Sequence, residues 1–126
     1  MPKIDLQTTI VALSSGTAAA QRAIVRVSGR QTRTLLQEIL AGDHAGHLAS
    51  EIAVSWRAKC HLTKPGVSES AVWGNRTTPA RIYYWPSEKC YTGEPSAELH
   101  LPGNLPIAEQ VINLLTALGA KHAQRG

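Results

Sequence analysis

Trp85-Pro86-Ser87-Glu88-Lys89-Cys90-Tyr91-Thr92-Gly93-Glu94-Pro95, followed by Ser96-Ala97-Glu98-Leu99-His100-Leu101-Pro102-Gly103, sets a tight polar turn directly before an alternating run. Side chains alternate between the two faces of a β-strand, so Glu98 and His100 project one way while Ala97, Leu99 and Leu101 project the other. The apolar side is expected to meet a core, which leaves the polar side as a candidate binding surface. Tyr91-Thr92-Gly93-Glu94 reads as the turn itself, with Gly93 supplying the unusual backbone angles and Thr92 a local hydrogen bond. Simple chain reversal between two strands accounts for that turn as well.

Upstream of the turn, Ala80 to Trp85 is aromatic and β-branched and is expected to be the strand that precedes it. Thr8-Thr9-Ile10-Val11-Ala12-Leu13, closed by Ser14-Ser15-Gly16, predicts a short buried first strand, and Arg22 to Val27 a second. In the second strand Ile24 and Arg26 share one face and Ala23, Val25 and Val27 the other, which sets a charge in the middle of an apolar segment. Ser28 is expected to cap a helix carrying Leu35, Leu36, Ile39 and Leu40 and ending near Ala41-Gly42. The chain then turns polar and small to about Ser50, and Ile52 to Ala58 alternates as a third strand. Leu62 to Pro79 reads as a long irregular connection. Beyond Pro102-Gly103, Asn104 is expected to cap a final helix with Ile107, Val111, Leu114, Leu115 and Leu118 on one side and Gly119 as its terminator. The expected order is β-β-α-β-β-β-α, an α+β fold.

A length of 126 residues suits one domain with a real core. Apolar residues at 43% and charged residues at 17% argue against a disordered chain, and with no Phe the three Trp and three Tyr are the only bulky aromatics. The start has neither a signal-peptide core nor the ~18 apolar residues of a spanning helix, so a cytoplasmic location without a membrane is expected. Cys60 and Cys90 make neither a disulfide framework nor a zinc spacing and are expected to stay free thiols. A net charge of +4 favours an anionic partner such as RNA or a glutamylated cofactor, although such a balance also describes a solvated surface. His44 and His47 have a spacing that a metal tolerates, but no third ligand is evident, and no metal is expected. Arg22, Arg26, Arg30 and Arg33 cluster in sequence, yet strand and helix periods send them apart, and no aromatic interleaving marks an RNA-binding motif.

The segment from Trp85 to Gly103 resembles F-P-x-P-x-S-Y-T-G-E-D-x-x-E-I-H-x-H-G-G of the N-terminal domain of the MnmE (TrmE) family of tRNA-modification GTPases. Thr9-Ile10-Val11-Ala12 is similar to the family's D-T-I-A-A, and Ala23-Ile24-Val25-Arg26-Val27-Ser28-Gly29 to its G-I-V-R-I-S-G. Leu114-Leu115 to Gly119-Ala120 and Arg125-Gly126 resemble its closing helix and L-x-x-G-A-R-x-A-x-P-G. This resemblance implies the folate-binding fold shared with glycine-cleavage aminomethyltransferases, with 1–126 as a folate-binding and dimerisation domain that supplies one unit to a homodimer. It further implies 5-formyltetrahydrofolate as the one-carbon donor for wobble-uridine modification of tRNA, with the flavoprotein MnmG (GidA) as a partner.

By motif, Arg26 and Glu98 match the family's folate-binding arginine and glutamate. A carboxylate suits the donor edge of a pterin, and a guanidinium fork suits a carboxylate or carbonyl oxygen. The alternative for the pair is a structural ion pair between neighbouring strands. Tyr91, Thr92 and Gly93 would shape the pocket, and His100 would either contact ligand or be a satisfied structural histidine.

One loop and three single positions depart from the family. Gly16 to Arg22 lacks the glycines of P-P-G-x-G-G-I, which leaves a stiffer loop. Pro95 replaces an Asp, Pro102 the second His of H-x-H-G-G, and Asn104 its last Gly. These changes touch the expected pocket rather than the core, so a divergent dimerisation module that no longer binds folate stays open, as does a one-carbon transferase, for which no catalytic carboxylate stands out. The family's helical, GTPase and Cys-bearing segments have no counterpart in these residues. GTP, Mg and K belong to that GTPase domain, and without a G-x-x-x-x-G-K-[ST] run the 126 residues are not expected to hydrolyse GTP alone.

Overall fold

A computed structural model describes residues 9–14, 22–62, 77–86, 94–103 and 105–123. Six strands form one sheet: β1 (Ile10–Leu13), β2 (Arg22–Ser28), β3 (Val54–His61), β4 (Thr77–Trp85), β5 (Ser96–Pro102) and β6 (Lys121–His122), in the spatial order β3-β4-β5-β2-β1-β6. Every neighbouring pair is antiparallel except β1 and β6. Three helices accompany the sheet: α1 (Thr32–Ile39), α2 (Ala45–Leu48) and α3 (Leu105–Ala117). The architecture is therefore α+β.

Period-two patterning decides which side of the sheet is covered. Ala23, Val25 and Val27 of β2, Ala97, Leu99 and Leu101 of β5, and Ala80, Ile82 and Tyr84 of β4 are all buried. Leu35, Leu36 and Ile39 of α1, and Ala108, Val111, Ile112 and Leu115 of α3, join them in one core. Helix α3 lies over β1, β2, β5 and β6, and α1 packs against α2 and α3. The opposite face of the sheet bears the alternate residues and, among the described residues, no helix.

Sequence and structure part in several places. Ser28 does not cap α1; it is the last residue of β2, and Gln31 holds the cap position without a side-chain bond of its own. Thr9, which precedes β1 and lies beside the exit from β2, does the capping, its Oγ1 accepting from the Gln31 N–H at 2.9 Å. Gly29 makes the sharp exit from β2 at φ +139, and its N–H donates to the Pro95 carbonyl at 2.9 Å. The described order, β-β-α-α-β-β-β-α-β, contains α2 and β6, which hydrophobic periodicity cannot reveal in runs of four and two residues. Strand β3 begins two residues later than expected and runs on to His61. Strand β4 begins at Thr77 despite Pro79, because its pairing with β5 starts only at Arg81 and the missing N–H costs no ladder bond to β5. Helix α1 ends at Ile39, after which the Ala41 N–H donates to the Lys59 carbonyl and covers part of the β3 edge.

Gly119 does terminate α3, at φ +123. The Ala120 N–H donates to the Leu115 carbonyl at 3.0 Å and the Gly119 N–H to that of Thr116 at 3.1 Å, which is a Schellman closure. It turns the chain so that β6 runs beside β1. The expected cap Asn104 lies outside the described residues, as does the expected loop between 63 and 76. Among the described residues no helix is long and apolar enough to cross a membrane.

Candidate functional site

The open face of the sheet is organised in rows, because strand register fixes which outward side chains meet. One row joins Arg26 of β2, Glu98 of β5 and Tyr83 of β4. The next joins Ile24, His100, Arg81 and Arg57, and a third joins Ser28, Ser96 and Trp85. Arg26 and Glu98 stand 72 positions apart in the chain, yet they are direct cross-strand partners.

The Arg26 Nη2 donates to Glu98 Oε2, and His100 bonds the other carboxylate oxygen, Oε1, at 3.0 Å. Arg22 Nη1 lies 3.3 Å from His100 Nδ1. A guanidinium has only donors, so Nδ1 accepts from Arg22 and the Nε2–H donates to Glu98. The four side chains thus form one polarised chain, in which Arg22 fixes the tautomer that His100 presents to Glu98. Burial pulls the Glu98 carboxyl pKa up, but the hydrogen bonds from Arg26 and His100 and the charge of Arg26 outweigh it and leave it below its ordinary value. The result is an ionised carboxylate that retains lone-pair capacity for further donors.

Arg26 remains 56% exposed, whereas Glu98 and His100 are 17% and 12% exposed. The cluster therefore sits half-buried on the open sheet face rather than in a saturated core. Tyr83 flanks it, its ring centroid 4.6 Å from that of His100, and Trp85 stacks 6.4 Å beyond Tyr83. An aromatic wall beside a carboxylate and two guanidinium groups is suited to a flat, hydrogen-bonding heterocycle with an anionic or carbonyl substituent.

Of the residues expected from sequence, Arg26, Glu98 and His100 come together in this cluster. Tyr91, Thr92 and Gly93 lie outside the described residues, as does Cys90. Tyr83 and Trp85 were not singled out; their signal was the alternation of Arg81, Tyr83 and Trp85 against the buried Ala80, Ile82 and Tyr84. Arg22 and Arg26 do share a face, while Arg33 is carried away on α1.

The histidine pair near α2 has another role. Trp56 Nε1–H donates to His44 Nδ1 at 3.0 Å, and His44 Nε2–H donates to the Ala41 carbonyl at 2.7 Å, so both ring nitrogens of His44 are spent. His47 stacks on Trp56 at 4.4 Å. Among the described residues no group of three or more His, Cys, Asp or Glu is arranged to hold a metal. Cys60 is fully buried, and burial pushes its thiol up to about 12.

The sequence matches the family described as "GTP-binding protein TrmE N-terminus" over residues 9–126. It is 31% identical over 98% of its length to the tRNA modification GTPase MnmE of Chelativorans sp. (strain BNC1), covering 25% of that protein. It is 32% identical over 94% of its length to the MnmE of Rhodopirellula baltica, covering 23%, and 31% identical over 94% to that of Mesorhizobium japonicum, covering 24%. The chain thus spans about a quarter of the length of the relatives it matches. With that coverage and identity, this chain belongs to the TrmE N-terminal family of tRNA-modification GTPases.

Proposed function

We propose that this chain is the folate-binding and dimerising domain of a tRNA uridine-modification GTPase and holds 5-formyltetrahydrofolate against the open face of its sheet. The observation that carries the reading is the Arg26–Glu98–His100 cluster, half-buried on the open sheet face in a chain of this family. Glu98 accepts from the amino and ring N–H edge of the pterin, and Arg26 holds a carbonyl or carboxylate oxygen through its fork. Tyr83 supplies a flat apolar contact. In this reading the fold is the folate-binding fold of the aminomethyltransferases, a second copy of the chain completes the pocket, and the domain works in the cytoplasm. The bound folate then serves as one-carbon donor for the wobble uridine of tRNA, with MnmG as partner. GTP hydrolysis, with its Mg and K, belongs to another domain of the same protein class.

Isothermal calorimetry with 5-formyltetrahydrofolate tests the binding step. Micromolar or tighter binding that falls by about tenfold or more in Glu98→Gln and Arg26→Ala is expected, since each substitution removes a charge-assisted hydrogen bond worth roughly 1.5–3 kcal/mol. Unchanged affinity in both variants removes these residues from the site.

A second reading has an observation of its own. Both Glu98 oxygens already accept from residues of the same chain, as a purely structural ion pair would require. A dimer in sedimentation with no folate-dependent thermal shift favours this divergent interaction module over the folate site.

A further inference from the structure

Arg57 of β3 and Arg81 of β4 are direct cross-strand partners, both exposed on the open face. Like charges facing each other across an antiparallel pair destabilise the sheet. Among the described residues neither guanidinium has a carboxylate partner. Lys59 follows on the same face of β3, and Arg22 and Arg26 lie on β2, so among the described strand residues Glu98 is the one carboxylate set beside these five cations. Two facing guanidinium groups raise the local positive potential and so attract an anion.

The pair has a defined place relative to the Glu98 cluster. Arg81 is the cross-strand partner of His100, and Tyr83, two residues further along β4, is the partner of Glu98. With strands about 4.8 Å apart and about 7 Å between successive residues on one face, the Arg81 and Arg57 backbones lie roughly 8–12 Å from that of Glu98. A folate has the same linear order of chemistry: a hydrogen-bonding pterin, a benzoyl ring, and then a glutamate whose γ-linked extensions each add a carboxylate.

We infer that Arg57 and Arg81 form a carboxylate site for the glutamyl tail of a folate whose pterin lies at Glu98, which makes γ-glutamylated folates the preferred ligand class. This rests on the folate reading above and adds to it the direction in which the ligand runs, from β5 across Tyr83 to the β3–β4 edge. Two planar forks suit bidentate contact with carboxylates, and an anion held between them cancels the repulsion that the pair carries in its absence. Because both arginines are exposed, solvent screens the gain, and the tail preference is modest and salt-dependent.

The test is calorimetry on the full chain with 5-formyltetrahydrofolate carrying one or three glutamates, at low and at high salt. The triglutamate is expected to bind about fivefold more tightly at low salt, with the difference shrinking at high salt. In Arg57→Gln/Arg81→Gln the two forms bind alike, and thermal stability does not fall, because the substitutions remove repulsion. Equal affinities in the unmodified chain, or a preference that survives in the double variant, overturns the tail site. Monoglutamate binding that depends on Glu98 without any tail preference sinks this inference alone. No binding of either form sinks the folate reading and the tail site together.

Discussion

Replacing Gly29 by alanine tests the junction on which both halves of the site depend. A Cβ at this position meets Thr9 Cα and Oγ1 at 2.6 Å and Thr9 Cβ at 2.9 Å, and φ is +139. Backbone strain for a side chain in that region costs about 1–3 kcal/mol. Relief of the clash requires moving backbone, a form of overpacking that costs about 1–3 kcal/mol more. Displacing Thr9 also loosens the bond from its Oγ1 to the Gln31 N–H, worth about 1 kcal/mol. A total near 3–7 kcal/mol is a large share of the ~5–15 kcal/mol that holds a domain together. For a chain of this size it corresponds to a fall in Tm of about 10–20 °C or more. Thermal and urea unfolding followed by circular dichroism measures it, and Thr9→Gly in the same background should restore only part of the loss, because the contact with the Thr9 Cα remains. Arg26 lies three residues before Gly29, and the Gly29 N–H anchors Pro95 three residues before Glu98, so any surviving fold should also bind ligand less well. A Tm change under about 3 °C would refute this account of the turn.

The alternation of Ala97-Glu98-Leu99-His100-Leu101 and of Ala23 to Val27 was legible because burial on one face imposes a period of two on any sheet of this kind. The pairing of Arg26 with Glu98 was legible only through motif resemblance, since register between strands 72 residues apart is set by the whole sheet and leaves no local mark. The cap on α1 illustrates the same limit: Ser28 was the local candidate, but β2 continues through it, and the free N–H is met by Thr9 from a different strand. Pro79 misled for a related reason. A proline argues against a strand only where its N–H would be needed, and which side of β4 lacks a partner depends on where β5 stops. Tyr83 and Trp85 are visible as strand formers, and alternation across residues 80–85 puts them on one face with Arg81, but only the β4–β5 register sets Tyr83 opposite Glu98. For His44, sequence spacing left metal binding open, and only the placement of Trp56 and Ala41 shows both nitrogens engaged.

Three further predictions concern individual side chains. Cys60, with its thiol pushed up to about 12 by burial, should resist alkylation in the native chain at pH 8, as peptide mapping by mass spectrometry would show; labelling at the rate of a free thiol would contradict its placement. Trp56→Phe should cost about 1–2 kcal/mol in urea unfolding, because it leaves the part-buried Nδ1 of His44 without its donor; a neutral result would mean that nitrogen finds another partner. The acid limb of stability should carry the signature of Glu98. Its carboxyl pKa is lowered from the ordinary 4.5 in the folded chain, so it stabilises the fold fully above the unfolded carboxylate value of about 4.3, and that contribution is lost as pH falls through the folded value. Unfolding midpoints for the unmodified chain and Glu98→Gln should therefore differ by a constant amount above about pH 5 and converge as the pH drops below about 4. High salt should shrink the gap, because Arg26 faces solvent. A gap that widens on acidification would mean that Glu98 is held in its protonated form, and the guanidinium–carboxylate chain from Arg26 to Arg22 would lose its centre.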